Sequence, residues 1–256
     1  MKTNDTAGHR DERQTREDLA AAYRLIALLG MDDGIYTHIS ARMPGSHEQF
    51  LINPFGLLFR EVTASSLVRI NLDGELVGPS GYEVNPAGFT IHSAIHAARP
   101  DAACVMHTHT IGGVAVSSLD EGLQPCNQWA FQFYNRVAYH DFEGLALDLE
   151  ERQRLVTSLG SEKRCLILRN HGLLTIGRTV AEAFILMHNL ERACRVQLAI
   201  QASGRKIREV APEVCEHTAR QYERGGSSAN QLEGTAREWN GFCRLLDAQV
   251  GTGYRQ

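Results

Sequence analysis

Two histidine-bearing stretches are the parts of this chain most able to do chemistry. Cys104-Val105-Met106-His107-Thr108-His109-Thr110 closes an apolar run on a pair of imidazoles, and a second apolar run, Cys165-Leu166-Ile167-Leu168, leads into Arg169-Asn170-His171-Gly172. In an extended chain residues two apart point to the same face, so His107 and His109 would aim both rings in one direction. His171 offers a third ring, and Gly172 behind it permits the tight backbone that would present it. Three neutral imidazoles with an open fourth position suit a catalytic Zn²⁺, and also Mn²⁺ or Fe²⁺. Taken alone, H-x-H also fits two ordinary histidines closing a buried strand. His92 and His96, at i and i+4 of a helical stretch, are a rival pair. Ser93 stands where the glutamate of an H-E-x-x-H metalloprotease helix would be, so packing or support is expected of them instead.

The elements that must position these rings can be read from periodicity. Leu19, Ala22, Tyr23, Leu25, Ile26 and Leu29 give a helical stripe that starts at Thr15 and stops near Gly30. Ile35 to Arg42 and Phe50 to Asn53 read as extended, and Leu72-Asp73-Gly74 joins Val68–Asn71 to Glu75–Val77 as a hairpin. Phe89, Ile91, His92, Ile95, His96 and Ala98 predict a helix that ends before Pro100 and delivers the chain into the first histidine strand. Thr110 to Ser118 is read as helical, Arg136 to Tyr139 as a short strand, and Asp148 to Leu159 as an acidic helix. Leu173 to Ile176 predicts another strand, after which Thr179 caps a long helix to about Ser203 with a core-facing stripe. Helices near Pro212–Arg224 and Gln231–Asp247 follow. Early hairpins and later strand–helix alternation predict a three-layer α/β/α sandwich around a mixed, largely antiparallel sheet. The expected organisation is a loose tail over 1–14, one domain over 15–248 and a C-terminal tail over 249–256.

Composition narrows the function. With 256 residues and 43% hydrophobic content the chain can fill one large core. A net charge of -4 of mixed sign offers no basic field for nucleic acid. No apolar run approaches the ~18 residues of a membrane span, and the first residues carry no signal-like apolar core, so a soluble cytoplasmic protein without membrane partners is expected. The six cysteines are scattered with no C-x-x-C pair and are read as reduced thiols. There is no G-x-G-x-x-G or G-x-x-x-x-G-K-[ST] phosphate cradle.

Over roughly residues 15 to 245 the chain resembles the class II aldolase/adducin family. The resemblance rests on Gly34 to Arg42, Asn53-Pro54-Phe55-Gly56-Leu57, Ala87-Gly88-Phe89-Thr90-Ile91-His92 leading to Ala98-Arg99-Pro100-Asp101, Val105-Met106-His107-Thr108-His109-Thr110 and Arg169-Asn170-His171-Gly172-Leu173. It implies one divalent metal on His107, His109 and His171. It implies Lewis-acid chemistry on substrate oxygens, and a homo-tetrameric ring with a residue from the adjacent chain entering the site. The chain departs from the sugar-phosphate aldolases of that family at several places. Their carboxylate, four residues before the match to His92, is here Gly88. Their asparagine, threonine and serine pair are His38, Phe55, Pro86 and Ala87, and the tyrosine from the neighbouring subunit falls at Trp129.

The expectation is therefore a metal-dependent lyase that cleaves a carbon–carbon bond, by aldol-type cleavage or decarboxylation, in a small hydroxy- or oxo-acid that is not a sugar phosphate. His38, His92, Tyr134 and His140 are candidate proton donors. A non-catalytic adducin-like interaction module with a structural metal and an Fe(II)-dependent oxygenase are the alternatives. The aromatic run Trp129-Ala130-Phe131-Gln132-Phe133-Tyr134 is read either as core or as a surface that a second copy covers.

Overall fold

The computed structural model describes residues 11–144, 150–226 and 228–256. A seven-stranded sheet forms the middle layer. Its strands are β1 (His38–Arg42), β2 (Gln49–Ile52), β3 (Val68–Asn71), β4 (Cys104–Thr108), β5 (Val137–His140), β6 (Cys165–Leu168) and β7 (Gly172–Gly177). Their order is β3-β2-β1-β4-β7-β6-β5, antiparallel throughout except for the β5–β6 pair at one edge. The mixed, largely antiparallel sheet expected from the sequence is thus present.

Side-chain alternation assigns a face to each strand position. Met106, Ile167, Leu173 and Ile39 enter the larger core, which packs against α1 (Glu12–Leu28), α6 (Val180–Ala202) and α8 (Gln231–Val250). Val105, Leu166, Leu174 and Ile176 enter the opposite core, under α2 (Pro86–Ala98) and α5 (Glu151–Leu159). Two helical layers enclosing a pleated sheet give the three-layer sandwich. The smaller helices α3 (Ile111–Ser117), α4 (Gln128–Gln132) and α7 (Pro212–Glu223) complete the first of these layers, α3 and α4 against α6 and α7 against α4.

Tyr23, fully buried on α1, ties that helix to the sheet: its hydroxyl accepts from the Ile39 N–H at 2.8 Å and from the Asn53 N–H at 3.1 Å. The first of these bonds fixes the height of β1, the strand that begins with His38. Among the described residues no helix is long and apolar enough to cross a membrane.

Three boundaries differ from the sequence reading. Helix α1 begins at Glu12, because Asp11, not Thr15, is the cap, its carboxylate accepting from the Gln14 N–H at 2.8 Å; Thr15 instead donates to the Asp11 carbonyl. The expected tail at 249–256 is docked: α8 runs to Val250, and a 3₁₀ turn at Gly253–Arg255 buries Tyr254. The Ala64 N–H reaches the Tyr254 carbonyl at 2.8 Å and the Ser65 N–H reaches that of Gln256 at 2.7 Å. The second arm of the 68–77 hairpin is a single bridge between Ile70 and Leu76. Residues 148 and 149 of the acidic helix lie outside the described residues, and α5 is seen from Glu151.

Candidate metal centre

His107 is on β4 with its ring on the α2 side, and His109 lies one step past the strand end on the same face. His171 sits in the tight β6–β7 turn, where its N–H bonds the Leu168 carbonyl at 3.1 Å. Asn170 supplies the left-handed residue of that turn, with φ of 55°. Gly172 permits the tight backbone expected of it, and does so through close approach rather than a positive φ. A Cβ there would lie 2.4 Å from the Thr108 carbonyl oxygen, so only glycine lets the turn close onto β4 and bring His171 beside His109.

The three rings meet through their Nε2 atoms: His107 to His109 at 2.9 Å and His109 to His171 at 3.0 Å. The opposite edges of two of them are committed. His107 Nδ1–H donates to the Leu173 carbonyl at 2.9 Å, and His109 Nδ1–H donates to the Asp33 carboxylate at 2.9 Å. Each of these rings, with one proton placed at Nδ1, presents a bare lone pair at Nε2. Two such lone pairs 2.9 Å apart repel unless a cation lies between them. Outward N–H donation to a carbonyl and a carboxylate is also the support that ligating imidazoles require. The donor set therefore fits a divalent metal, and all three ligand atoms lie within 4.8 Å of one another. Burial, with smaller contributions from the neighbouring imidazoles, holds His107 well below the usual histidine range and His171 at about 4. His107 and His171 are thus neutral near pH 7, the form a metal ligand needs.

The loop after His109 is anchored. Thr110 caps α3, and its hydroxyl bonds the carboxylate of Glu191 on α6, which also accepts from the Gly113 N–H at 2.9 Å. Burial raises the Glu191 carboxyl. Three exposed apolar side chains lie close to His109, Asp33 and His171. Ile111 is next but one to His109, Tyr36 follows Asp33 in a turn, and the Phe142 ring is 6.4 Å from that of His171.

A second histidine cluster lies on the same face. β1 pairs with β4 so that His38 faces His107, their ring centroids 5.3 Å apart. His38 Nδ1 is 3.0 Å from His92 Nε2, while Ser40 Oγ stands between His92 Nδ1 at 2.6 Å and His96 Nε2 at 2.7 Å. His92 and His96 are therefore joined through a hydroxyl rather than converging as ligands. The ring of His38 fills the space that Gly88 leaves open, since a Cβ there would be 2.6 Å from His38 Cδ2.

The remaining candidates are placed apart. His140 is buried, its Nδ1 3.0 Å from Ser158 Oγ, and its Nε2 has no hydrogen-bond partner although Glu151 approaches to 3.5 Å. It shares a small cavity of about 10 Å³ with His171, Phe142 and Arg169. Tyr134 is half-buried after α4; its carbonyl accepts from Arg136, and among the described residues no hydrogen bond or ring contact joins it to the histidines. Trp129 is half-buried beneath the Arg192 guanidinium, 4.4 Å above its ring. The aromatic run is split, with Ala130 and Phe133 in the core and Phe131 lining a surface cleft with Tyr222. Sequence reasoning missed Asp33 and Ser40. The acidic pair before Gly34 was the available signal for the first, and the i+2 spacing of Ser40 from His38 for the second.

Comparison with known proteins agrees with this architecture. The model of the Class II Aldolase and Adducin N-terminal domain matches residues 17–198. The chain is similar to an aldolase II superfamily protein from Pseudomonas syringae, with 50% identity, 96% of each chain covered and a TM-score of 0.89. A structure described as L-fuculose 1-phosphate aldolase from Glaciozyma antarctica PI12 is 31% identical, with 96% of this chain and 93% of that one covered and a TM-score of 0.84. Alpha-adducin of Rattus norvegicus is 48% identical over 204 residues, which are 79% of this chain and 28% of the adducin.

Proposed function

Since the chain belongs to the class II aldolase and adducin family, we propose that it is a divalent-metal-dependent lyase acting on a carbon–carbon bond of a small hydroxy- or oxo-acid. The observation that carries this reading is the convergence of the Nε2 atoms of His107, His109 and His171, two of them with the far edge of the ring fixed by Leu173 and Asp33. Such support would keep the donor atoms in place for a divalent cation. When bound, a divalent cation, Zn²⁺ in this proposal, supplies Lewis-acid stabilisation of negative charge that develops on substrate oxygens.

The protein's own groups then divide the work. His38, at the position of the family aldolases' asparagine, flanks the centre, and Gly88, at the position of their carboxylate, makes the room for it. His92 holds His38 from behind. His140, with an unpartnered Nε2 beside the cavity of His171, is the candidate for moving a proton on the other flank. Tyr134 is too remote in its contacts to be given a part within one chain. Tyr36, Ile111 and Phe142 form an apolar rim that would exclude water once covered, and a neighbouring subunit of a homo-tetramer is the proposed cover.

Two other readings have specific support. The 31% identity to a protein described as L-fuculose 1-phosphate aldolase favours a sugar phosphate, and the 48% identity to alpha-adducin favours an interaction module. A turnover screen of small hydroxy- and oxo-acids with zinc-loaded and metal-stripped protein, run beside L-fuculose 1-phosphate, separates them. Metal-dependent turnover of an acid alone is the expected result. Cleavage of the sugar phosphate at about 1 s⁻¹ or faster would replace the acid, and no turnover of either would favour the module. Oxygen uptake by iron-loaded protein would point instead to an oxygenase.

A further inference from the structure

The second histidine cluster has a direction, and it can be deduced from its far end. The Ala102 carbonyl can only accept, so His96 Nδ1, 3.2 Å away, carries the proton. His96 is buried and holds its pKa near 3, mainly through burial, so the ring is neutral and its Nε2 is an acceptor. The Ser40 hydroxyl, 2.7 Å from that atom, must donate to it. A hydroxyl has one proton, so toward His92 Ser40 can only accept, which places the His92 proton on Nδ1. His92 is fully buried and likewise neutral, so its Nε2 accepts, and His38 Nδ1–H is the donor across the 3.0 Å contact. Each step excludes its reverse.

The last ring inherits the result. With its single proton on Nδ1, neutral His38 has a lone pair at Nε2. That atom has no protein partner among the described residues, yet is not one of the sealed, unpartnered atoms of the interior. The ring lies over Gly88 and beside His107, on the same face of the sheet as the candidate metal centre.

We propose that the His96–Ser40–His92 chain fixes His38 as a hydrogen-bond acceptor at Nε2, and that this makes the site selective for substrates bringing a hydroxyl, not a carbonyl, to that flank. A hydroxyl donates to Nε2; an oxo group sets a second lone pair against it, leaving both unpaired in a largely desolvated place. Within the acid-lyase reading, on which this rests, the substrate class narrows to hydroxy acids. Ser40, His92 and His96 are positioning residues.

Two measurements test it. Nitrogen-detected NMR of metal-free protein labelled with ¹⁵N-histidine reads the tautomers directly. His38, His92 and His96 should all be Nδ1–H, and Ser40→Ala should turn His38 into a tautomer mixture. Calorimetry of zinc-loaded protein with racemic lactate and with pyruvate should show the hydroxy acid binding about tenfold tighter or more, and His38→Gln should reduce that ratio to about one at unchanged zinc content. An Nε2–H tautomer of His38 in the native protein, or equal or tighter binding of pyruvate, overturns the proposal. If neither acid binds, the acid-lyase reading fails, and the tautomer measurement alone then decides whether His38 is an acceptor.

Discussion

Two groups of histidines share one face of one sheet and differ in how their ring nitrogens are spent. In the group of His107, His109 and His171 the Nε2 atoms converge on one another, and two of the rings lean outward on a carbonyl and a carboxylate. In the group of His38, His92 and His96 each ring passes its bond to the next, through Ser40, until the chain ends on the Ala102 carbonyl. Convergent lone pairs need a cation; consecutive donors and acceptors satisfy one another. Residue type is the same in the two groups, and burial differs in that His109 and His171 are half-buried while His38, His92 and His96 are buried; polarity of the hydrogen bonds, rather than the presence of imidazoles, separates a centre that can hold a metal from a support.

The sharpest way to break the comparison is to remove one ring from each group. His109→Ala should reduce zinc from about one ion per chain to less than about a tenth at micromolar protein, because three protein ligands become two. Elemental analysis of His96→Ala should still find nearly full zinc. Equal loss in both variants would mean that the groups act as one.

Acid acts on both groups in the same direction, since burial also holds His107 and His171 low. The rings of His38, His92 and His96 are held below their ordinary value, first by burial, His96 at about 3. Below pH 6.5 the unfolded chain takes up protons that the folded chain refuses, so folding stability should fall as pH drops from about 6.5 towards 3; above 6.5 these rings contribute no slope. The upper bound is about 2 kcal/mol per ring by pH 5. Urea denaturation of metal-free protein at pH 7.5 and 5.0 measures it, and unchanged stability would show that the folded rings take up protons as readily as those of the unfolded chain.

Gly88→Ala should have the smallest effect. Its methyl would meet His38 at 2.6 Å, so overpacking should cost about 1–3 kcal/mol and tilt His38 away from the centre. Zinc content should stay full while any turnover falls. A variant as stable and active as the native protein would show that His38 needs no fixed seat.

Much of this could be read in the chain itself. The H-x-H strand and the Asn170-His171-Gly172 turn stand out by local spacing, which is why the three metal candidates are legible without coordinates. Helix stripes and caps were legible for the same reason, as at Thr179, whose side chain accepts from the Glu182 N–H. What was hidden depends on pairing register. Ser40 enters the cluster only because β1 lies against β4 with His38 opposite His107, and Asp33 only because its turn reaches back to His109. The tight backbone expected at Gly172 is present, but what demands glycine there is close approach to the Thr108 carbonyl of β4, far earlier in the chain and invisible to any local rule. Asp11 displaced Thr15 as a helix cap because both are competent and only the packed helix chooses.

The strand order carries a kinetic consequence. β1, β2 and β3 form one wing and β5, β6 and β7 another, with β4 as the seam between them, and His171 meets His109 across 62 residues of sequence. The three rings cannot meet until the second wing has docked on the seam, a non-local event that comes late in a search dominated by loop closure. Zinc should therefore leave the refolding rate nearly unchanged and slow the unfolding rate, acting as a latch on the finished molecule and not as a nucleus for it.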